Sequence, residues 1–156
     1  VQNQVSHHIT SQNLTLSYNK GSLRLEAIGD FAWNVTKREL KNYNDIFAFD
    51  YSYGISGQYI LPWKIQLSSD LKMYSRRGYE ESSMNTDELV WNASVSRPFL
   101  KGKLIVKLDA IDILNQISNT RYVVNGQGRI ETWQLCMPRY AMFRVAYKFN
   151  KNPKKR

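Results

Sequence analysis

Apolar and polar side chains alternate with a period of two along most of the chain. Leu14, Leu16 and Tyr18 alternate with Asn13, Thr15 and Ser17, and Leu23, Leu25, Ala27, Gly29, Phe31, Trp33 and Val35 with Arg24, Glu26, Ile28, Asp30, Ala32 and Asn34. The same pattern runs through Phe47–Ser56, Ile65–Tyr74, Leu89–Ser96, Lys103–Ala110 and the closing stretch "YAMFRVAYKFN" (140–150). Successive side chains of an extended strand point to opposite faces. Each run therefore predicts a strand with one apolar and one polar face, seven strands in all. "VSHHIT" (5–10) or "TRYVVNGQGRIETWQL" (120–135) could add an eighth. "TKRELKN" (36–42) is too short and polar for more than one helical turn, and no other segment carries a helical period.

The connections alternate in length. "NKGS" (19–22), the Pro62 turn in "ILPWK" and "RPFLKGK" (97–103) are short, whereas 36–45, 75–87 and Asn115–Arg139 are long. Strands joined in this way form an all-β, antiparallel up-and-down meander of about seven to eight strands, with tight turns at one end and long loops at the other. Phe47, Phe49, Tyr51, Tyr53 and Ile55 are expected to share a face with Ala141, Phe143, Val145, Tyr147 and Phe149.

Such a meander suits two solvents. In a soluble sandwich or lipocalin-like barrel the apolar face points inward; in a transmembrane barrel it meets lipid and the polar face lines the lumen. Three features favour the membrane. The second run is about a dozen residues long, against ~5–6 for a typical soluble strand and ~9–11 for a tilted membrane strand. Aromatic residues collect at both ends: Tyr18, Tyr59, Trp63, Phe99 and Phe149 toward the short turns, and Trp33, Phe47, Tyr74 and Trp91 toward the long loops. Lipid–water interfaces select such belts. The polar positions carry mixed charges deep within the runs: Arg24, Glu26, Asp30, Asp50, Asp70, Lys72, Lys107, Asp109 and Arg144. A soluble β-barrel or sandwich that binds a small ligand or carbohydrate remains the alternative.

Composition narrows the choice further. The 156 residues are 42% hydrophobic and 13% aromatic, which excludes a disordered chain. The net charge of +9 allows nucleic acid, an anionic surface or an acidic ligand as partner. Nucleic acid is disfavoured because the strands mix both signs of charge instead of forming one basic stripe. The lone cysteine, Cys136, excludes an internal disulfide. No run approaches the ~18 apolar residues of a spanning helix. The start, "VQNQVSHHIT", lacks the basic end and apolar stretch of a signal peptide. The chain is thus expected to be cytoplasmic, a mature form, or a piece of something longer.

The closing strand, with Phe143, Val145, Tyr147 and Phe149 on one face, resembles the C-terminal assembly signal of outer-membrane barrels. "DAIDILNQ", with Asp112, Leu114 and Asn115, followed by a long loop and the Pro138-Arg139 step, resembles the C-terminal portion of the TonB-dependent-receptor-like barrel family. The tail "NKNPKKR" after Phe149 departs from that pattern. The resemblance implies a bacterial outer-membrane location and a part in uptake of a nutrient ligand. Residues 1–150 would be C-terminal strands of a barrel of about twenty-two strands, and 151–156 a basic tail. The partners it implies are outer-membrane lipid and lipopolysaccharide, the barrel-assembly machinery, the remaining barrel and plug domain, and TonB through a segment outside this chain.

Candidate chemistry is sparse. His7 and His8 point to opposite faces of an extended segment, and Asp109 and Asp112 are likewise set apart. Cys136 has no neighbouring histidine. Asn13-Leu-Thr15, Asn34-Val-Thr36 and Asn92-Ala-Ser94 match glycosylation sequons but lie in strands. "GISG" and "NGQGR" lack the strand–helix context of a phosphate loop. No catalytic residue, metal site or cofactor is expected. Lys37, Arg38, Lys41, Arg76, Arg77, Arg121 and Arg129 fall in or near the long loops, where on an outer-membrane barrel they would face lipopolysaccharide phosphates or an anionic ligand. Arg76, Arg77, Tyr79, Arg121, Tyr122 and Trp133 are the candidate contacts for an anionic or sugar-like ligand.

Overall fold

The computed structural model describes residues 5–38, 45–125, 128–135, 137 and 139–149. Nine strands occupy most of them: β1 (Val5–Lys20), β2 (Leu23–Arg38), β3 (Ile46–Ile60), β4 (Gln66–Arg77), β5 (Asp87–Phe99), β6 (Leu104–Ile111), β7 (Thr120–Asn125), β8 (Gly128–Trp133) and β9 (Tyr140–Tyr147). Among the described residues the helical segments are three short 3-10 turns, Pro62–Lys64, Ser82–Met84 and Leu100–Gly102. Seven strands form one antiparallel sheet in the order β1-β2-β3-β4-β5-β6-β9, and β7 and β8 pair as a separate hairpin. The fold is all-β and the main sheet is a meander.

Neither candidate adds an eighth strand to the main sheet. "VSHHIT" is the start of β1, whose pairing with β2 runs from Val5 opposite Arg38 to Lys20 opposite Leu23. That register carries β1 well past its apolar stripe, since backbone pairing does not need apolar side chains. Residues 120–133 fold on themselves, with Thr120 opposite Trp133. Thr36, Lys37 and Arg38 extend β2, so the start of "TKRELKN" is strand and not helix. β1 and β9 are the two edges of the sheet, which is open.

Register turns the alternation into a surface. Leu23, Tyr59, Leu67, Val95, Leu108 and Phe143 stand opposite one another in a single row across β2–β6 and β9. Two rows away, Ala27, Ile55, Leu71 and Trp91 do the same. The stripes of β3 and β9 share a face, as the alternation predicts, and Leu14, Leu16 and Tyr18 join it by pairing with Gly29, Ala27 and Leu25. A one-residue slip at any connection would have split these stripes between faces.

No second layer of the described chain covers this face. Leu14, Tyr53, Ile55 and Phe143 are 62%, 57%, 55% and 66% exposed. The buried apolar cluster lies on the opposite, polar face and consists of Ile46, Ala48, Tyr79 and Met84. Ile46 and Ala48 come from β3, and the 78–86 connection folds back over them. Gly78 permits that fold: its φ is +81°, and a Cβ there would fall 2.2 Å from the Phe47 carbonyl oxygen.

Candidate functional site

The polar face toward the long loops holds a cavity of about 1150 Å³. Its floor is formed by β1–β5, and Tyr79, Thr86, Ile117, Ser118, Thr120 and Gln134 contribute to its rim. Two carboxylates organise the floor. Asp30 of β2 accepts from Ser52 Oγ at 2.7 Å and from Lys72 Nζ at 3.0 Å, and also from Asn13 Nδ2. Four strands are thereby tied at one carboxylate. Asp50 of β3 accepts from Asn34 Nδ2 at 3.0 Å, Arg76 Nε at 3.0 Å and the Tyr79 hydroxyl at 2.7 Å.

Arg76 is doubly engaged by Tyr79. Its Nη2 donates to the Tyr79 oxygen at 3.1 Å, and the guanidinium carbon lies 4.7 Å from the ring centroid. Tyr79 is buried, and burial, together with its donation to Asp50, raises the phenol above its ordinary pKa. The Tyr79 hydroxyl is therefore protonated at neutral pH and works as a donor. Register makes this cluster possible, because Asp50 stands directly opposite Arg76 in the β3–β4 pair.

A third carboxylate, Asp109 of β6, takes Lys107 Nζ at 2.8 Å and Arg144 Nε at 2.9 Å, joining β6 to β9. Asp70 accepts from Asn92 Nδ2 at 2.8 Å across β4 and β5. Opposite charges on this face thus sit within pairing distance across the strands. His7, on the same face, is hydrogen-bonded through Nδ1 to Thr36 Oγ1 at 2.8 Å. Among the described residues no three His, Cys, Asp or Glu side chains are grouped to hold a metal ion.

"DAIDILNQ" forms a knot at the exit of β6. The Asp112 side chain is buried and accepts from the N–H groups of Gln116 at 3.0 Å and Ile117 at 3.2 Å. Its own N–H donates to Asn92 Oδ1, and the Ile113 N–H to the Trp91 carbonyl. Asn115 Oδ1 accepts from the Arg139 N–H at 3.2 Å, next to the start of β9. Arg139, 24 residues away in sequence, is thus brought to the Asp112–Asn115 turn; Pro138 lies outside the described residues.

The candidate ligand contacts are distributed unevenly. Arg76 and Tyr79 lie together at the cavity, tied to Asp50. Arg77 is on the other face, paired with Asp87 at 2.5 Å. Trp133 ends β8 and is 66% exposed. Arg121 and Tyr122 lie in β7, and their side chains are outside the described ones, as are Lys41, Cys136 and the tail 151–156. Phe143, Val145 and Tyr147 project from the exposed apolar face of β9. Phe149, just beyond, is exposed and packs edge-on against Tyr147 with centroids 4.6 Å apart. Sequence reading missed the Asp50–Arg76–Tyr79 cluster: it put Asp50 on the polar face of a strand but Arg76 in the 75–87 loop, whereas β4 runs on to Arg77.

No family model, curated protein or solved structure matches the chain.

Proposed function

We propose that the chain is a wall segment of a bacterial outer-membrane β-barrel of the TonB-dependent-receptor type, serving uptake of a nutrient ligand. One observation carries this reading: a single seven-stranded sheet presents a predominantly apolar face with no described layer over it, while most of its ion pairs lie on the opposite face. A soluble sandwich would bury the first face against a second sheet. In lipid that face needs no cover.

Dimensions and polar pairing support the same reading. From Phe47 to Tyr59, the aromatic ends of the β3 stripe, is about 40 Å of strand. At a tilt of about 40° this spans about 30 Å, comparable with the hydrocarbon thickness of a bilayer. Within this apolar band, Trp91 Nε1 donates to Ser69 Oγ at 2.9 Å. Each group thereby finds a partner on a face where lipid offers none. The polar face becomes the lumen wall, and the 78–86 connection, docked on that face, narrows it. The closing stripe of Phe143, Val145, Tyr147 and Phe149 acts as the assembly signal, and the unpaired outer edge of β9 gives the insertion machinery a strand to pair with. The contribution to transport is structural, without catalysis or cofactor.

A variant that keeps Trp91 and replaces Trp33, Trp63 and Trp133 by Phe tests the reading. Refolded into vesicles of brominated phospholipid, its fluorescence should be strongly quenched. Full fluorescence, with folding that needs no lipid or detergent, would leave the soluble sandwich.

A further inference from the structure

The short-turn end of the sheet differs from the long-loop end in charge. Lys20, Lys64, Arg97, Lys101, Lys103 and Lys148 lie in or beside its connections, and residues 19–22, 61–65, 97–103 and 148–149 contain no Asp or Glu. Backbone hydrogen bonds gather these connections at one end: Ile60 N–H to the Ser22 carbonyl at 3.0 Å, and Lys148 N–H to the Lys103 carbonyl at 2.8 Å. The acids nearest that end, Glu26, Asp70 and Asp109, project from the polar face. Arg97 stands on the apolar face, its guanidinium carbon 4.8 Å from the Phe99 ring centroid. None of the six cations forms an ion pair with a described carboxylate. By contrast Arg76 and Arg77, at the long-loop end, are both engaged by Asp residues.

Two of these turns share an unusual backbone. Trp63 and Lys64 have φ of 64° and 60°, and Leu100 and Lys101 have φ of 51° and 56°. Two consecutive non-glycine residues in the left-handed region disfavour a turn. Each turn nevertheless displays a large apolar side chain beside a lysine, and Trp63 and Leu100 are 78% and 61% exposed. Apolar side chains that lead into a bilayer, next to cations at headgroup depth, match the two layers of a membrane interface.

We propose that the short-turn end is a docking surface for anionic phospholipid, with the cations on headgroup phosphates and Trp63 and Leu100 seated among the upper acyl segments. The proposal rests on the membrane reading above and adds a lipid preference to it. Arg97, over the Phe99 ring at the edge of the apolar band, is the cation best placed to reach a phosphate from the bilayer side.

The test dilutes the full-length protein, with the strands that close the proposed barrel, from detergent into vesicles of phosphatidylcholine alone or mixed with phosphatidylglycerol, and measures the membrane-inserted fraction. Insertion should be favoured by phosphatidylglycerol by about tenfold or more, the combined effect of several cations at an anionic surface. The preference should shrink as salt is raised. K64Q/K101Q should weaken it, and the variant with all six cations changed to Gln should lose it while still entering phosphatidylcholine. Equal insertion of wild type into both vesicles, or an unchanged preference in the six-site variant, would overturn the docking surface alone. Failure to enter either vesicle would overturn the membrane reading, and the docking surface with it.

Discussion

Removing the Asp112 side chain strips the acceptors from the N–H groups of Gln116 and Ile117 in a turn where Asp112 itself is buried. Asp112→Ala should cost about 2–3 kcal/mol in denaturant unfolding of the micelle-bound chain, and Asp112→Asn, which keeps one acceptor, clearly less. Tyr79→Phe leaves the ring on Arg76 but removes the hydroxyl between Asp50 and Arg76. It should cost about 1–2 kcal/mol, read by the same measurement. Gly78→Ala should release the 78–86 connection, because its new methyl cannot coexist with the Phe47 carbonyl; limited proteolysis within 79–86 should accelerate. At this scale the sequence was only partly legible. Alternation set Asp50, Arg76 and Tyr79 near the right face or loop, but their meeting depends on the β3–β4 register and on a loop that turns inward. Asp112 read as a motif residue, whereas its work as a backbone acceptor depends on the path of residues 113–117.

For the strands, the two faces of the sheet offer a sharp contrast. Val106 lies on the apolar face opposite Arg97 and Val145, and Lys107 on the polar face opposite Ser96 and Arg144. Leu71→Arg, in the middle of the apolar rows, should destabilise the chain in lipid by about 2–4 kcal/mol, whereas Val106→Arg, beside Arg97 at the edge of the band, should cost no more than about 1 kcal/mol, and Lys107→Arg should be nearly silent; all three are checked by folding titrations in vesicles. For β9, the proposed role as assembly signal predicts that Phe149→Ala lowers the amount of protein recovered in the outer-membrane fraction far more than the melting temperature of what is recovered. Removal of 151–156 should leave that amount unchanged. The seven main strands were legible because alternation is a local signal. The β7–β8 hairpin and the first half of β1 were not, because polar side chains dominate there and backbone pairing alone holds them. The short turns were legible from Gly and Pro, except for the left-handed pairs Trp63–Lys64 and Leu100–Lys101, whose side chains give no hint of positive φ.

For the whole molecule, the account rests on which solvent meets which face. The sheet places its large apolar side chains on one side and Asp30, Asp50, Asp70, Asp109 and Arg144 on the other, and it buries its compact apolar cluster on the charged side. In water that arrangement is inverted; in a membrane each face meets the solvent it matches. The most direct measurement introduces single cysteines at Leu71, Leu108 and Phe143 and at Lys72, Lys107 and Arg144 in a Cys136→Ser chain reconstituted into vesicles. Each is labelled with an environment-sensitive fluorophore and exposed to a lipid-embedded quencher and to aqueous iodide. The account predicts that the first three probes are quenched from the lipid and shielded from iodide, and the second three the reverse. Probes at Leu71, Leu108 and Phe143 that iodide reaches and lipid does not would contradict it.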